Sequence, residues 1–202
     1  MAEEGDKLGN TAQPSLTSVD WSKIPPPPDD RAAAHLIGAR LPDIDLPATN
    51  GGTVGLAWLK GRTVIYVYPM TGKPGVALPD GWDEIPGARG CTPQTCPFRD
   101  PFAELKEAGA SHVFGLSTQD TDYQREMAER LHLPFSVLSD AGLELTRDLR
   151  LPTMNVDGKT LLKRMALIAD DGMIVRVFYP VFPPDRNASD VLAWLKANPR
   201  PA

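Results

Sequence analysis

Two cysteines, Cys91 and Cys96, are the only thiols in a chain of 202 residues, and both lie in the segment GCTPQTCPFRD, residues 90–100. So few cysteines exclude a disulfide scaffold, whereas a close pair points to redox work or metal binding. The segment follows the first strong strand-like run and leads into a helical pattern, which puts Cys91 at a helix N-terminus. There the macrodipole and unpaired backbone N–H groups favour thiolate over thiol. The distinction matters because an ordinary thiol, with a pKa of ~8.5, is only about 3% thiolate at pH 7, and the thiolate is the nucleophile. Arg89 and Arg99 add positive charge nearby. Gly, Thr, Pro and Gln around the pair read poorly as core, which weighs against two structural thiols on an apolar helix face.

Four residues separate the two cysteines. A thiol–disulfide exchange protein is expected to carry C-x-x-C, with both sulfurs on one helical turn. A zinc or copper site would need histidines or further thiols, and His35, His112 and His132 are scattered along the chain, so no metal is expected. If residues 91–96 are continuous helix, five steps place the Cα atoms about 8.6 Å apart. A disulfide tolerates about 7 Å at most, so the helix start must unwind before the sulfurs can join. Pro93, Pro97 and Pro101 recur every fourth residue and lack the N–H that would bond to the preceding turn, which predicts a weakly held helix. Alternatively, the prolines delay the helix until Phe98 and leave the cysteines in a loop.

The elements that must position this segment are legible as periodicity. Residues 63–68 (TVIYVY) and 113–116 form β-branched and aromatic runs that read as buried strands, with a helix at 102–108 between the cysteine segment and the second strand. Thr121 with Gln124 matches a capping box ahead of a helix carrying Tyr123, Met127, Ala128 and Leu131. A short strand at 135–138, a helix at 141–149, a hairpin of 164–169 with 173–179, and a last helix after Asn187 complete the pattern. In that last helix Ala188, Val191, Leu192 and Leu195 share a face. The order implies an α/β fold with a mixed sheet flanked by helices, compatible with a thioredoxin-like fold.

Residues 1–35 form a proline-rich N-terminal extension ahead of one domain at 36–199. The extension reads most simply as a solvated tail. Packing on the domain or on another subunit is the alternative, and Trp21 is the residue that argues for it. The net charge of -5 excludes the basic footprint of a nucleic-acid binder. No stretch approaches the roughly 18 apolar residues of a membrane span, and the acidic start MAEEGDKLGN lacks an apolar run. A cytoplasmic location is the expectation.

Beyond these readings, the chain resembles the peroxiredoxins, in particular the bacterioferritin-comigratory or PrxQ type. The resemblance rests on IGARLPDIDLPATNGGTVGLAWLKGRTVIYVYP, GCTPQTCPFRD, GLSTQD, FSVLSD and KRMALIADDGMI, and covers about residues 37–194. It implies a thiol peroxidase that reduces hydrogen peroxide or organic hydroperoxides without a cofactor. Cys91 would be the peroxidatic cysteine, Cys96 the resolving one, Arg164 the active-site arginine of a late strand, and a thioredoxin-like dithiol the reductant. One departure stands out. The family's P-x-x-x-T-x-x-C becomes Glu84 and Ala88 at minus seven and minus three, and an insertion at about 70–88 separates Pro69 and Thr71 from Cys91. Either the insertion folds over the site and Thr71 or Arg89 replaces the lost hydroxyl, or it is decorative. The missing threonine also leaves room for an inactive or redox-sensing binding module on the same fold.

Overall fold

In the computed structural model of the chain, residues 19–200 are described. Their centre is a five-stranded mixed sheet, whose strands from edge to edge are residues 137–139, 110–117, 62–67, 165–170 and 173–178. Its strands are β3 (Arg62–Val67), β4 (Ala110–Ser117), β5 (Val137–Ser139), β8 (Met165–Asp170) and β9 (Met173–Phe178). β3 pairs in parallel with β4 and β4 with β5, while β8 runs antiparallel to β3 and to β9. All six residues of β3 (RTVIYV) are buried, on both faces of the sheet, which suits the continuous apolar run from Val64 to Val67. Val64 and Tyr66 face one way, Ile65 and Val67 the other, as the two-residue strand period requires.

Four helices cover the Val64 and Tyr66 face. They are α1 (Cys91–Arg99), α2 (Phe102–Glu107), α3 (Thr121–Arg130) and α5 (Asn187–Ala197), which bury Phe98, Leu105, Met127, and Ala188 with Val191 and Leu195. Tyr66 stacks on Phe98 at 4.6 Å between centroids, tying α1 to the middle strand. Opposite Tyr66 in the ladder stands Gly115, where a Cβ would fall 2.6 Å from the phenol oxygen. The other face is covered by α4 (Glu144–Leu149) and by a hairpin of β1 (Asp45–Pro47) and β2 (Thr53–Gly55), which contributes Leu46.

Several details depart from the sequence reading. The hairpin β1-β2 and a second, β6 (Thr153–Val156) with β7 (Lys159–Leu162), were not expected. α3 is capped by Asp120, which accepts from the Tyr123 N–H, and not by a Thr121–Gln124 box. Gln124 instead reaches into the sheet, where its Nε2 donates to Ser117 Oγ and to the Leu138 carbonyl. Of the N-terminal extension, residues 1–18 lie outside the described residues. The part that follows is docked, not a solvated tail. Trp21 donates to Asp185, and Asp30 binds both Lys163 and the Tyr179 hydroxyl. Those two partners hold the Asp30 carboxyl well below the usual carboxylate range, Lys163 contributing most.

The insertion is not decorative. Its 3-10 turn Trp82–Glu84 buries Trp82 with Ala88 against Val156 and Leu161 of β6 and β7. Ala88, the residue at minus three, is 0% exposed and belongs to this small core.

Candidate active site

α1 begins at Cys91 because Gly90 turns the chain there, with φ 106, and its carbonyl accepts the first helical bond, from the Gln94 N–H at 2.9 Å. The prolines do not delay the helix, so the loop alternative is set aside. Their effect is also narrower than the sequence suggests. Pro93 is the third residue of the helix, where its N–H would have no intrahelical partner in any case, and Pro101 caps α2. Only Pro97 removes a bond within α1.

Cys91 is 5% exposed and points its sulfur at Arg164. The guanidinium Nη2 lies 3.3 Å from Sγ and donates to the carbonyls of Gly87, Ala88 and Arg89 at 3.3, 3.0 and 3.1 Å. When protonated, the Cys91 thiol donates to the Ala88 carbonyl at 3.7 Å. The positive end of α1 and a buried, permanently charged guanidinium thus converge on one sulfur. Arg164 itself sits at the bend just before β8, one residue outside the hairpin strand expected for it.

Gln94 completes the support and was not singled out in the sequence. Fully buried, it accepts from Arg164 Nη1 through Oε1, while its Nε2 donates to Asn187 Oδ1 at 2.9 Å and to the Val67 carbonyl at 3.4 Å. A buried chain from Asn187 through Gln94 therefore fixes the plane of the guanidinium. The available signal was spacing: Gln94 lies three residues after Cys91, on the same side of α1. The Nε of Arg164 is buried with no protein partner among the described residues.

Thr71 is not brought to Cys91 by any hydrogen bond. It is 1% exposed, its hydroxyl donates to Gln119 Oε1 at 3.2 Å, and its backbone exchanges two further bonds with the same side chain. Arg89 pairs with Asp83 of the insertion at 2.9 Å, and Arg99 pairs with Asp100, so neither is a free cation at the sulfur. Cys96 is half-buried in the same helix as Cys91, and both thiols are free. Burial pushes the Cys96 thiol up, against the weaker opposing pull of Arg99. Among the described residues no three His, Cys, Asp or Glu side chains converge on a common point, and no helix is long and apolar enough to cross a membrane.

Residues 36–194 match the Redoxin family model. The chain is 31% identical over 183 residues to "Peroxiredoxin Q, chloroplastic" of Gentiana triflora, covering 87% of this chain and 76% of that protein. A second similar protein, "Peroxiredoxin Q, chloroplastic" of Triticum aestivum, is 32% identical over 178 residues, 84% of this chain and 74% of the relative. Among solved structures it is similar to the peroxidoxin BcpB of Mycobacterium tuberculosis, at TM-score 0.64 and 27% identity over 80% of this chain and 96% of that one. Peroxiredoxin Q of Xanthomonas campestris superposes at TM-score 0.60 with 25% identity, over 77% and 91% of the two chains. These matches bear out the resemblance in the sequence and identify the sheet as thioredoxin-like. The chain therefore belongs to the redoxin family and, within it, to the peroxiredoxin Q group of thiol-dependent peroxidases.

Proposed function

We propose that Cys91 is the peroxidatic nucleophile and Cys96 the resolving thiol of a hydroperoxide reductase. Cys91 thiolate attacks the terminal oxygen of the hydroperoxide. The S–O bond forms as the O–O bond breaks, and the departing oxyanion takes a proton to leave as water or an alcohol. Arg164, with Nη2 3.3 Å from Sγ, stabilises the thiolate and the charge growing on the departing oxygen. Cys96, as thiolate, then attacks the sulfenic sulfur of Cys91. An S–S bond forms and hydroxide leaves. An external dithiol of thioredoxin type returns both sulfurs to thiols and is itself oxidised to a disulfide.

One observation carries the assignment of roles. Of the two cysteines, only Cys91 stands at a helix N-terminus with a guanidinium nitrogen 3.3 Å from its sulfur. Thr71 contributes indirectly, by fixing the start of the insertion to Gln119. A cysteine pair that cycles between two thiols and a disulfide suits a reducing compartment such as the cytoplasm. The test is the peroxide consumed by the reduced protein before any reductant is added. Cys91→Ser is expected to consume none, and Cys96→Ser about one equivalent. Equal loss in both variants overturns the roles, and no rapid consumption by the wild type favours a sensing or binding module.

A further inference from the structure

Resolution by Cys96, as proposed above, requires the first turns of α1 to open, so whatever packs on the start of that helix governs how readily it opens. The residue at that start is Gly90, and it is covered. A Cβ there would fall 2.5 Å from Pro184 Cγ and 2.7 Å from Trp21 Cη2, so a proline ring and the tip of an indole press directly on the backbone. Trp21 is itself fixed. Its indole N–H donates to Asp185 Oδ2 at 2.8 Å, and its ring meets Phe182 edge-on at 6.1 Å.

The same stretch of chain continues across the site. Pro27 lies against Gly87, 3.5 Å from where a Cβ would stand, and Asp30 is held by Lys163 at 2.6 Å and by the Tyr179 hydroxyl at 2.7 Å. Gly87 to Arg89, just before Gly90, supply the carbonyls that hold Arg164, and Lys163 is the neighbour of Arg164. The described part of the arm is thus tied at Trp21 and at Asp30, and between them it packs on the backbone that carries the sulfur's surroundings.

We propose that Trp21 is a positioning residue for the peroxidase: by packing on Gly90 it holds the start of α1 in the form that attacks peroxide and slows the opening that brings Cys96 to Cys91. The proposal rests on the reading of Cys96 as the resolving thiol. Trp21 acts through Gly90. While the ring is seated, the helix N-terminus and Arg164 stay aimed at the sulfur. When it leaves, unwinding of the first turn loses one obstacle, since Pro97 has already removed a bond from the turn behind it. Slow opening has a chemical consequence. The Cys91 sulfenic acid waits longer for Cys96, and a second peroxide can oxidise it to the sulfinic acid instead.

The experiment uses the full reduced chain, mixed with hydrogen peroxide, quenched with acid over time, alkylated and read by mass spectrometry for thiol, disulfide and sulfinic acid. Trp21→Ala is expected to form the disulfide about threefold to tenfold faster, a change of the size given by losing one aromatic packing contact. It should accumulate less sulfinic acid at high peroxide and leave the first attack no faster than in the wild type. A merely structural role would lower the melting temperature without speeding one step selectively. Asp185→Ala, which frees the indole but keeps the ring, is expected to fall between the two and covers the case in which Trp21→Ala folds poorly. Amide hydrogen exchange of residues 90–96 gives a readout independent of the chemistry, and it should quicken in Trp21→Ala. If no Cys91–Cys96 disulfide forms in the wild type, the resolving role fails while the exchange result still judges the packing. Wild-type disulfide rates and exchange in both variants overturn the proposal.

Discussion

Replacing Arg164 by Met keeps much of the side chain's length and removes its charge, and its cost can be worked from the geometry. With Nη2 3.3 Å from Sγ and an effective dielectric constant of ~20, guanidinium and thiolate attract by about 5 kcal/mol before the cost of burying both is subtracted. Losing one preorganised donor in other enzymes costs ~10² to 10³ in rate, about 2.7–4 kcal/mol, which falls below that ceiling. A slowing of the first oxidation by on the order of 10²-fold is therefore expected. Arg164→Lys separates charge from shape. One ammonium cannot occupy the carbonyls of residues 87–89, Gln94 Oε1 and the sulfur together, so it should restore only a minor part of the loss. The assay is stopped-flow oxidation in a Cys96→Ser background, where resolution does not contribute, with circular dichroism and melting temperature to show that the fold persists. A rate within about threefold of the parent in a folded Arg164→Met protein would refute the electrostatic role.

Pro97→Ala restores the one helical bond missing inside α1, and should slow disulfide formation after oxidation without slowing the first attack; quenched mass spectrometry separates the steps. Burial raises the Cys96 thiol above its ordinary value, so its attacking thiolate gains as pH rises. Disulfide formation in the wild type should accordingly climb from pH 7 to 9, and a rate already flat by pH 8 would contradict this account. Thr71→Val should change the first oxidation by less than about twofold, because the hydroxyl proton is given to Gln119 and not to Cys91. A much larger loss, measured in the same stopped-flow assay, would return Thr71 to the site.

The sheet and the reactive segment were legible because their signals are local. TVIYVY reads as a buried strand, and a cysteine after a strand and before a helical pattern reads as a helix head, although the prolines left a loop open until the structure set it aside. Short elements escaped. The hairpin β6-β7 turns on Asp157-Gly158, both at positive φ, but its strands hold four residues each and its inner side packs on the insertion, so no regular alternation marked it. Gln124 has a capping side chain's composition and spacing, yet its partners Ser117 and Leu138 are remote in sequence. Contacts of that kind decide the site as well. Gln94 finds Arg164 seventy positions away, and Trp21 finds Asp185 164 positions away, so neither role could be read from neighbours along the chain.

The central claim is that Cys91 is the atom oxidised first and Cys96 the one that follows. The most direct measurement is trapping with a sulfenic-acid reagent of the reduced Cys96→Ser protein, mixed with one equivalent of hydrogen peroxide and followed by peptide mass spectrometry, beside the untrapped wild type treated alike. The account predicts the adduct on Cys91 in the variant and a Cys91–Cys96 disulfide within single chains of the wild type. An unmodified Cys91 in the variant, or no intrachain disulfide in the wild type, would contradict it.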